Sequence, residues 1–345
     1  MLDDGDLEAA TSAGIVTQQQ ADALRKFAAE RQAQNAIERA DDERFRFMRS
    51  FNDVFFAVGI ALFGLGLGFF ASIIAFGHFL AAAITWALSE LVVRRLRLVL
   101  PGILLACLFT YFAMRMVFFD WRQPSGTPFA ISALVGSGAA AIFYARFRLP
   151  FALLLIAAGL IVFIEVEAFS AGIINTVVAS LILLLCGLAV FGCAMIYDVS
   201  DPERVTRRSD CAFWLHLLAA PLIVHSIFQL LVPGSTFGHL AGSLTTTGVL
   251  IVFAVIVALT IVALLVDRRA LFVSALSYLG VVIGYTISFA SGQSAESSLK
   301  ATFATLLILG AMVLALGVAW QPLRRVFIRL FPTSLTNRLP RVAPA

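Results

Sequence analysis

The sequence predicts an all-α, polytopic integral membrane protein with about ten transmembrane helices, preceded by a small cytoplasmic helical head. Three observations predict it. Of 345 residues, 60% are hydrophobic and 13% charged, against roughly 45–50% and 25% in ordinary soluble domains; mean hydropathy is +0.94. The charges are segregated, with 17 of the 46 Asp, Glu, Lys and Arg residues in the first 50 positions. Apolar runs long enough to cross lipid, about 20 residues each, then recur almost to the end of the chain. This composition excludes secreted, nucleic-acid-binding and collagen-like classes. The net charge of +4 needs no acidic partner, because basic residues held on one side of a membrane set its topology. Cys107, Cys186, Cys193 and Cys211 lie in or at the edge of apolar runs, so no disulfide framework is expected. Asp3, Asp4 and Asp6 open the chain where a signal peptide would be basic, and no cleavable signal is expected.

Residues 1–50 are read as the head. Thr17 and Gln20 have the spacing of a capping box, in which each side chain satisfies an early helical amide of the other. Ala21, Leu24, Phe27 and Ala28 follow at helical spacing, and a shorter helix is expected around Leu7–Ser12. A stripe this narrow makes no independent core, so residues 1–40 are expected to pack on a second copy, on the membrane domain or on a cytoplasmic protein partner.

Ten spans are expected: Val54–Phe76, His78–Val93, Val99–Phe119, Pro128–Ala145, Pro150–Ile164, Ala171–Tyr197, Cys211–Val232, Thr245–Val266, Ala270–Ala290 and Ala301–Trp320. Residues 51–322 thus form a ten-helix membrane domain and 323–345 a basic cytoplasmic tail. The second and fifth spans are short for a hydrocarbon core of about 30 Å. With the head in the cytoplasm, alternate connections hold Arg94, Arg95, Arg97, Arg146, Arg148, Arg204, Arg207, Arg208, Arg268 and Arg269, then Arg324, Arg325, Arg329, Arg338 and Arg341. The other side keeps Arg122 and Lys300, with Arg115 inside a span. An odd number of spans would break this positive-inside bias, so both termini are expected in the cytoplasm.

The basic turns recur every 50–60 residues, the length of a helical hairpin. A closer match links Asp41-Asp42-Glu43-Arg44, before the first span, with Asp201-Pro202-Glu203-Arg204, before the seventh. Each precedes an Arg-Ser pair and an Asp at the membrane edge (Asp53; Asp210). It reads either as a parallel repeat or as two independent helix starts, Asp201-Pro202 being a cap followed by Pro at the first helical position.

No soluble-enzyme signature is present: His-Glu-x-x-His, Gly-x-Ser-x-Gly, a P-loop and Cys-x-x-Cys are all missing. Gly136-Ser137-Gly138 with Ala139–Ala141, and Gly64-x-x-x-Gly68 with Gly59 and Gly66, read as small-residue packing faces. Polar residues inside spans are costly and therefore informative. Tyr111 and Arg115 share a face in the outer part of the third span; Glu165 and Glu167 end the fifth; Asn175 begins the sixth. His225 and Gln229 share a face in the outer seventh span, and Tyr285 lies in the outer ninth. Together they define a candidate outward-facing polar pocket, in which Glu165 or Glu167 would pair with Arg115; alternatively Arg115 snorkels to water. Pro221 removes a backbone hydrogen bond and is expected to kink the seventh span. His216 and His225 flank it on opposite faces, so no metal site and no cofactor are expected.

The head pattern Leu7-x-x-Ala10-x-x-x-Gly14-Ile15-Val16-Thr17-x-x-Gln20-Ala21, followed by the Gly59–Gly68 run, resembles a family of bacterial membrane proteins of unknown function. In that family a Gly-Ile-Ile-Thr-x-x-Gln-Ala helix pair precedes a glycine-rich first span and many further spans. The resemblance covers roughly residues 1–75, and the family's usual Trp early in the head is missing here. It implies a bacterial inner-membrane location and names no reaction.

Two functions follow from these readings. One is a small-solute transporter or channel-like protein with the polar pocket as its site; the other is a membrane-embedded scaffold or sensor whose head binds a partner. An intramembrane enzyme would need a nucleophile–base or metal constellation that the sequence does not display. Membrane lipids are expected partners and nucleic acid is not.

Overall fold

The computed structural model describes residues 4–27, 51–117, 126–172, 175–201, 206–231, 246–267, 279–280, 283, 287 and 295–328, and among these all regular structure is helical. In the head, α1 spans Asp4–Ser12 and α2 covers 18–27. The capping box forms as expected: Gln20 N–H donates to Thr17 Oγ1 at 3.3 Å and Thr17 N–H to Gln20 Oε1 at 2.9 Å. Leu7 and Ala21 are buried, whereas Ile15, Leu24 and Phe27 are exposed. The apolar stripe is therefore covered only in part.

The remaining helices are α3 (Phe51–Ile73), α4 (Gly77–Ser89), α5 (Val99–Arg115), α6 (Thr127–Phe147), α7 (Phe151–Ser170), α8 (Thr176–Val199), α9 (Arg207–Leu231), α10 (Thr246–Val266) and α11 (Ala295–Ile328). Six stretches among the described residues are long and apolar enough to cross a membrane: Asn52–Ile73, Thr127–Phe147, Phe151–Ser170, Val177–Val199, Arg207–Leu230 and Thr302–Trp320. Val99–Arg115 and Ile256–Leu265 are shorter apolar helices. Leu314 and Val318 stand 73% and 85% exposed on α11, which is favourable only against lipid or another apolar surface. This is a helical membrane protein. The expected ninth span, Ala270–Ala290, falls mostly outside the described residues, as do Asp41–Arg44, Pro202–Arg204, Arg122, Arg268, Arg269 and the chain beyond 328.

Several boundaries differ from the sequence reading, among them those at Ser89, Arg207 and Ala295 and three that bear on the polar residues and the tail. The fifth span was expected to stop at Ile164, but α7 continues to Ser170. A helix needs backbone hydrogen bonds, not apolar side chains, so Glu165 and Glu167 lie within it. The sixth begins at Thr176, with Asn175 as its cap. The last helix passes through Pro322 to Ile328, beyond the expected end at Trp320.

Close packing follows the small residues. A Cβ on Gly159 would lie 2.9 Å from the Ala133 carbonyl oxygen and 2.9 Å from Ser137 Cβ, and Ser137 Oγ donates to Ile156 O at 2.9 Å; α6 and α7 touch along the predicted face. Gly64 gives way to Leu108 of α5. Gly59 and Gly66 meet nothing within 4 Å and add no close-approach surface. Between α5 and α6 the Trp86 ring packs on Phe109 and Phe147, at 5.2 and 5.1 Å between centroids. Phe228, Leu264 and Trp320 fill the core shared by α9, α10 and α11.

Candidate functional site

The residues proposed for an outward polar pocket fall into two sets. On α4 and α5, Tyr111 is partly exposed and stacks edge-on against Phe112, while Arg115 is within electrostatic reach of His78. On α7, α8 and α9, Glu165 is within electrostatic reach of Cys186, and Ser180 Oγ donates to Gln229 Oε1 at 3.0 Å. His225, half-buried, lies one turn from Gln229 on α9. Asn175 caps α8, its side chain accepting from Val178 N–H at 3.0 Å. Glu165 and Glu167 make no ion pair among the described residues, and each keeps one buried oxygen without a hydrogen bond. The expected pairing of Arg115 with Glu165 or Glu167 does not form. Pro221 lies on the exposed side of α9, which is helical without interruption from Arg207 to Leu231. Tyr285 lies outside the described residues.

Two buried polar clusters were not anticipated. His216 Nε2 and Asp198 Oδ2 are 2.8 Å apart, both shielded from solvent, with the Phe191 ring against the imidazole. Asp267 accepts from Trp320 Nε1 at 2.8 Å and faces Arg324 Nη1 at 3.5 Å. Both brace neighbouring helices.

A cleft of about 660 Å³ opens at the arginine-rich end of the helices, within the range of about 300–1,000 Å³ usual for small-molecule sites. Three chain segments build it: the α4–α5 turn, the α6–α7 turn and the start of α9. Among the described residues, Arg94, Arg97, Arg146, Arg148 and Arg207 line it beside one carboxylate, Asp210. Behind it, Glu90 binds two of the five: Arg146 Nε donates to its Oε1 at 2.7 Å and Arg94 Nη1 to its Oε2 at 2.9 Å. Glu90 stands just past the end of α4, and the Arg94 hydrogen bond, then Arg146, holds its carboxyl below the usual range. Arg97, Arg148 and Arg207 are exposed and make no ion pair among the described residues.

The backbone around this cleft is irregular. Glu90–Arg95 is a π-turn, a form often found at functional sites. Arg97 and Arg148 both adopt left-handed conformations, with φ of 55° and 53°, where an L side chain costs about 1–2 kcal/mol. Nearby, a Cβ on Gly102 would come within 3.0 Å of Val93 Cγ2, so α5 presses closely on the π-turn. The sequence displayed the arginines but assigned them to topology; their convergence on one concavity needed the fold. Asp201 accepts from Thr206 N–H and Oγ1, at 2.9 and 2.6 Å, and shapes the turn into α9; the residues that the Asp201-Pro202 cap would serve lie outside the described ones.

No protein-family model, curated protein or solved structure matches this chain. The functional reading therefore rests on the site.

Proposed function

We propose that the chain is a membrane protein of about ten spans that binds an anionic solute at its cytoplasmic face, as a small-solute transporter or channel-like protein does at the mouth of its pathway. The cleft carries this reading: three guanidiniums with no ion pair among the described residues, from three chain segments, around a space large enough for a small molecule. Apolar walls lower the local dielectric and strengthen each charge's pull on an anion. The arginine bias supports a cytoplasmic placement, and the resemblance of the head supports a bacterial inner membrane. In this reading 1–50 is an appended head and 51–322 the solute-handling domain.

The scaffold reading draws on a separate observation, the exposed Ile15, Leu24 and Phe27 of the head. A thermal-shift screen on the purified full chain separates the two. Anions should raise the unfolding midpoint where cations and neutral solutes do not, and Arg207→Ala should weaken that response. A midpoint indifferent to every anion would remove the solute-binding function and leave the head as the functional element.

A further inference from the structure

We infer that the ligand of the arginine cleft is a phosphate-bearing amphiphile: a phospholipid whose headgroup is a terminal phosphate monoester that sits among Arg97, Arg148 and Arg207 and whose acyl chain follows the apolar wall. This rests on the anion-binding reading above and names its ligand class.

The cleft is two-sided. Its cations sit at the rim, while Val99 and Ile103 of α5, Phe151 of α7 and Trp214 of α9 line the wall. Phe151 and Trp214 meet edge to face at 4.8 Å between ring centroids, giving that wall a firm aromatic floor. Ile103 lies four residues past Val99, roughly 6 Å at 1.5 Å per residue, so the apolar strip runs inward along α5, away from the arginines. A small hydrated anion would leave that strip in contact with water; an acyl chain covers it.

The number and origin of the cations favour phosphate over carboxylate. One guanidinium fork satisfies both oxygens of a carboxylate. Three forks arriving from the α4–α5 turn, the α6–α7 turn and α9 suit a group with three terminal oxygens and more than one charge, and Arg matches phosphate through paired hydrogen bonds. Glu90 holds Arg94 and Arg146 as a fixed positive border, leaving the other three to close on the ligand. Basic pockets between helices at a membrane's cytoplasmic rim lie at headgroup level. Arg97 and Arg148 stand in left-handed backbone, as Phe76 and Asp267 outside the cleft also do. Glycine is the default residue for that conformation, so either arginine can be replaced by glycine without backbone strain.

The experiment uses full-length protein in nanodiscs of phosphatidylcholine with and without phosphatidic acid, read by native mass spectrometry for retained lipid and by the unfolding midpoint. Arg97→Gly and Arg148→Gly suit the backbone, so loss of folding does not confound them. Wild type should retain phosphatidic acid, and each glycine variant should weaken retention about fivefold, as expected for one arginine near a lipid headgroup. Arg208→Ala, exposed on the same side but outside the cleft, should leave retention unchanged. Retention unaltered in the double glycine variant, or reduced as much by Arg208→Ala, would overturn the inference. If inorganic phosphate and glycerol 3-phosphate protect as well as the lipid, the anion site stands and the amphiphile falls. If neither lipid nor soluble anion binds, the proposed function falls with it.

Discussion

Asp267→Asn removes one charge and very little else. Asp267 has φ of 56°, and Asn is among the side chains that best tolerate the left-handed region. The Asn amide oxygen can still accept from Trp320 Nε1, which now donates to Asp267 Oδ1 at 2.8 Å. What disappears is the carboxylate facing Arg324, whose side chain is 1% exposed with Nη1 at 3.5 Å from Oδ2. Two unit charges at that separation interact by about 5 kcal/mol at an effective dielectric of ~20, and removing one partner of a buried pair costs ~3–5 kcal/mol. Arg324 Nε keeps its hydrogen bond to Leu264 O at 3.2 Å, which places the expected loss near the lower end, about 3 kcal/mol. Reversible denaturant unfolding in mixed micelles reads it, and a double-mutant cycle with Arg324→Leu isolates the pair. Coupling of about 1–3 kcal/mol is expected. An Asp267→Asn variant within about 0.5 kcal/mol of wild type, or strictly additive single effects, would refute the reasoning.

Gly159→Leu should destabilise by about 1–3 kcal/mol in the same assay, because the new side chain meets the Ala133 carbonyl and Ser137, neither of which can swing aside; Gly138→Ala, with nothing within 4 Å of its Cβ, should be neutral. Thr17→Ala should weaken α2 by about 1 kcal/mol, seen as faster amide exchange at Gln20 with the membrane helices unchanged. The Glu90 carboxyl is held below its usual range in the folded protein, so its clamp is fully present above the unfolded carboxylate pKa and is lost as pH falls through the lowered folded value. Glu90→Gln should therefore reduce the acid-side fall in midpoint that wild type shows.

Local features were legible in the sequence because their physics is local. The Thr17–Gln20 box needs only three residues of spacing and forms as read. The small-residue face of α6 was visible as composition, and Gly159 supplies its complement on α7. Helix ends were harder to read. An apolar run records what lipid requires, whereas α7 carries Glu165 and Glu167 on to Ser170 because its backbone ladder continues. Long-range polar pairs were invisible for a geometric reason. Asp198 is the penultimate residue of α8, but His216 is the tenth residue of α9. Matching depth across a simple hairpin would never bring them together, yet they sit 2.8 Å apart. The candidate outer residues shared approximate depth and still divided between two helix groups, because depth alone does not say which helices are neighbours.

The two arginine turns show how topology and function can be written in the same residues. Arg95-Leu96-Arg97-Leu98 and Arg146-Phe147-Arg148-Leu149 carry the charge that the positive-inside rule requires, and any exposed arginine in either turn would meet that requirement. Each turn nevertheless puts its second arginine in the left-handed region, where glycine would relieve about 1 kcal/mol or more. Flanking positions such as Leu98 or Leu149 would have kept the topological charge with no backbone penalty. Phe147 and Leu149 are instead buried on either side of Arg148, so the reversal at Arg148 tucks the apolar neighbours inward while the guanidinium stays at the cleft. The arrangement occurs on both hairpins that line the cavity. Phe76 and Asp267 reach the same backbone region outside the cleft, so the conformation alone is an ordinary way to end a helix; what marks this end as the working face is that both reversals deliver an arginine to one cavity.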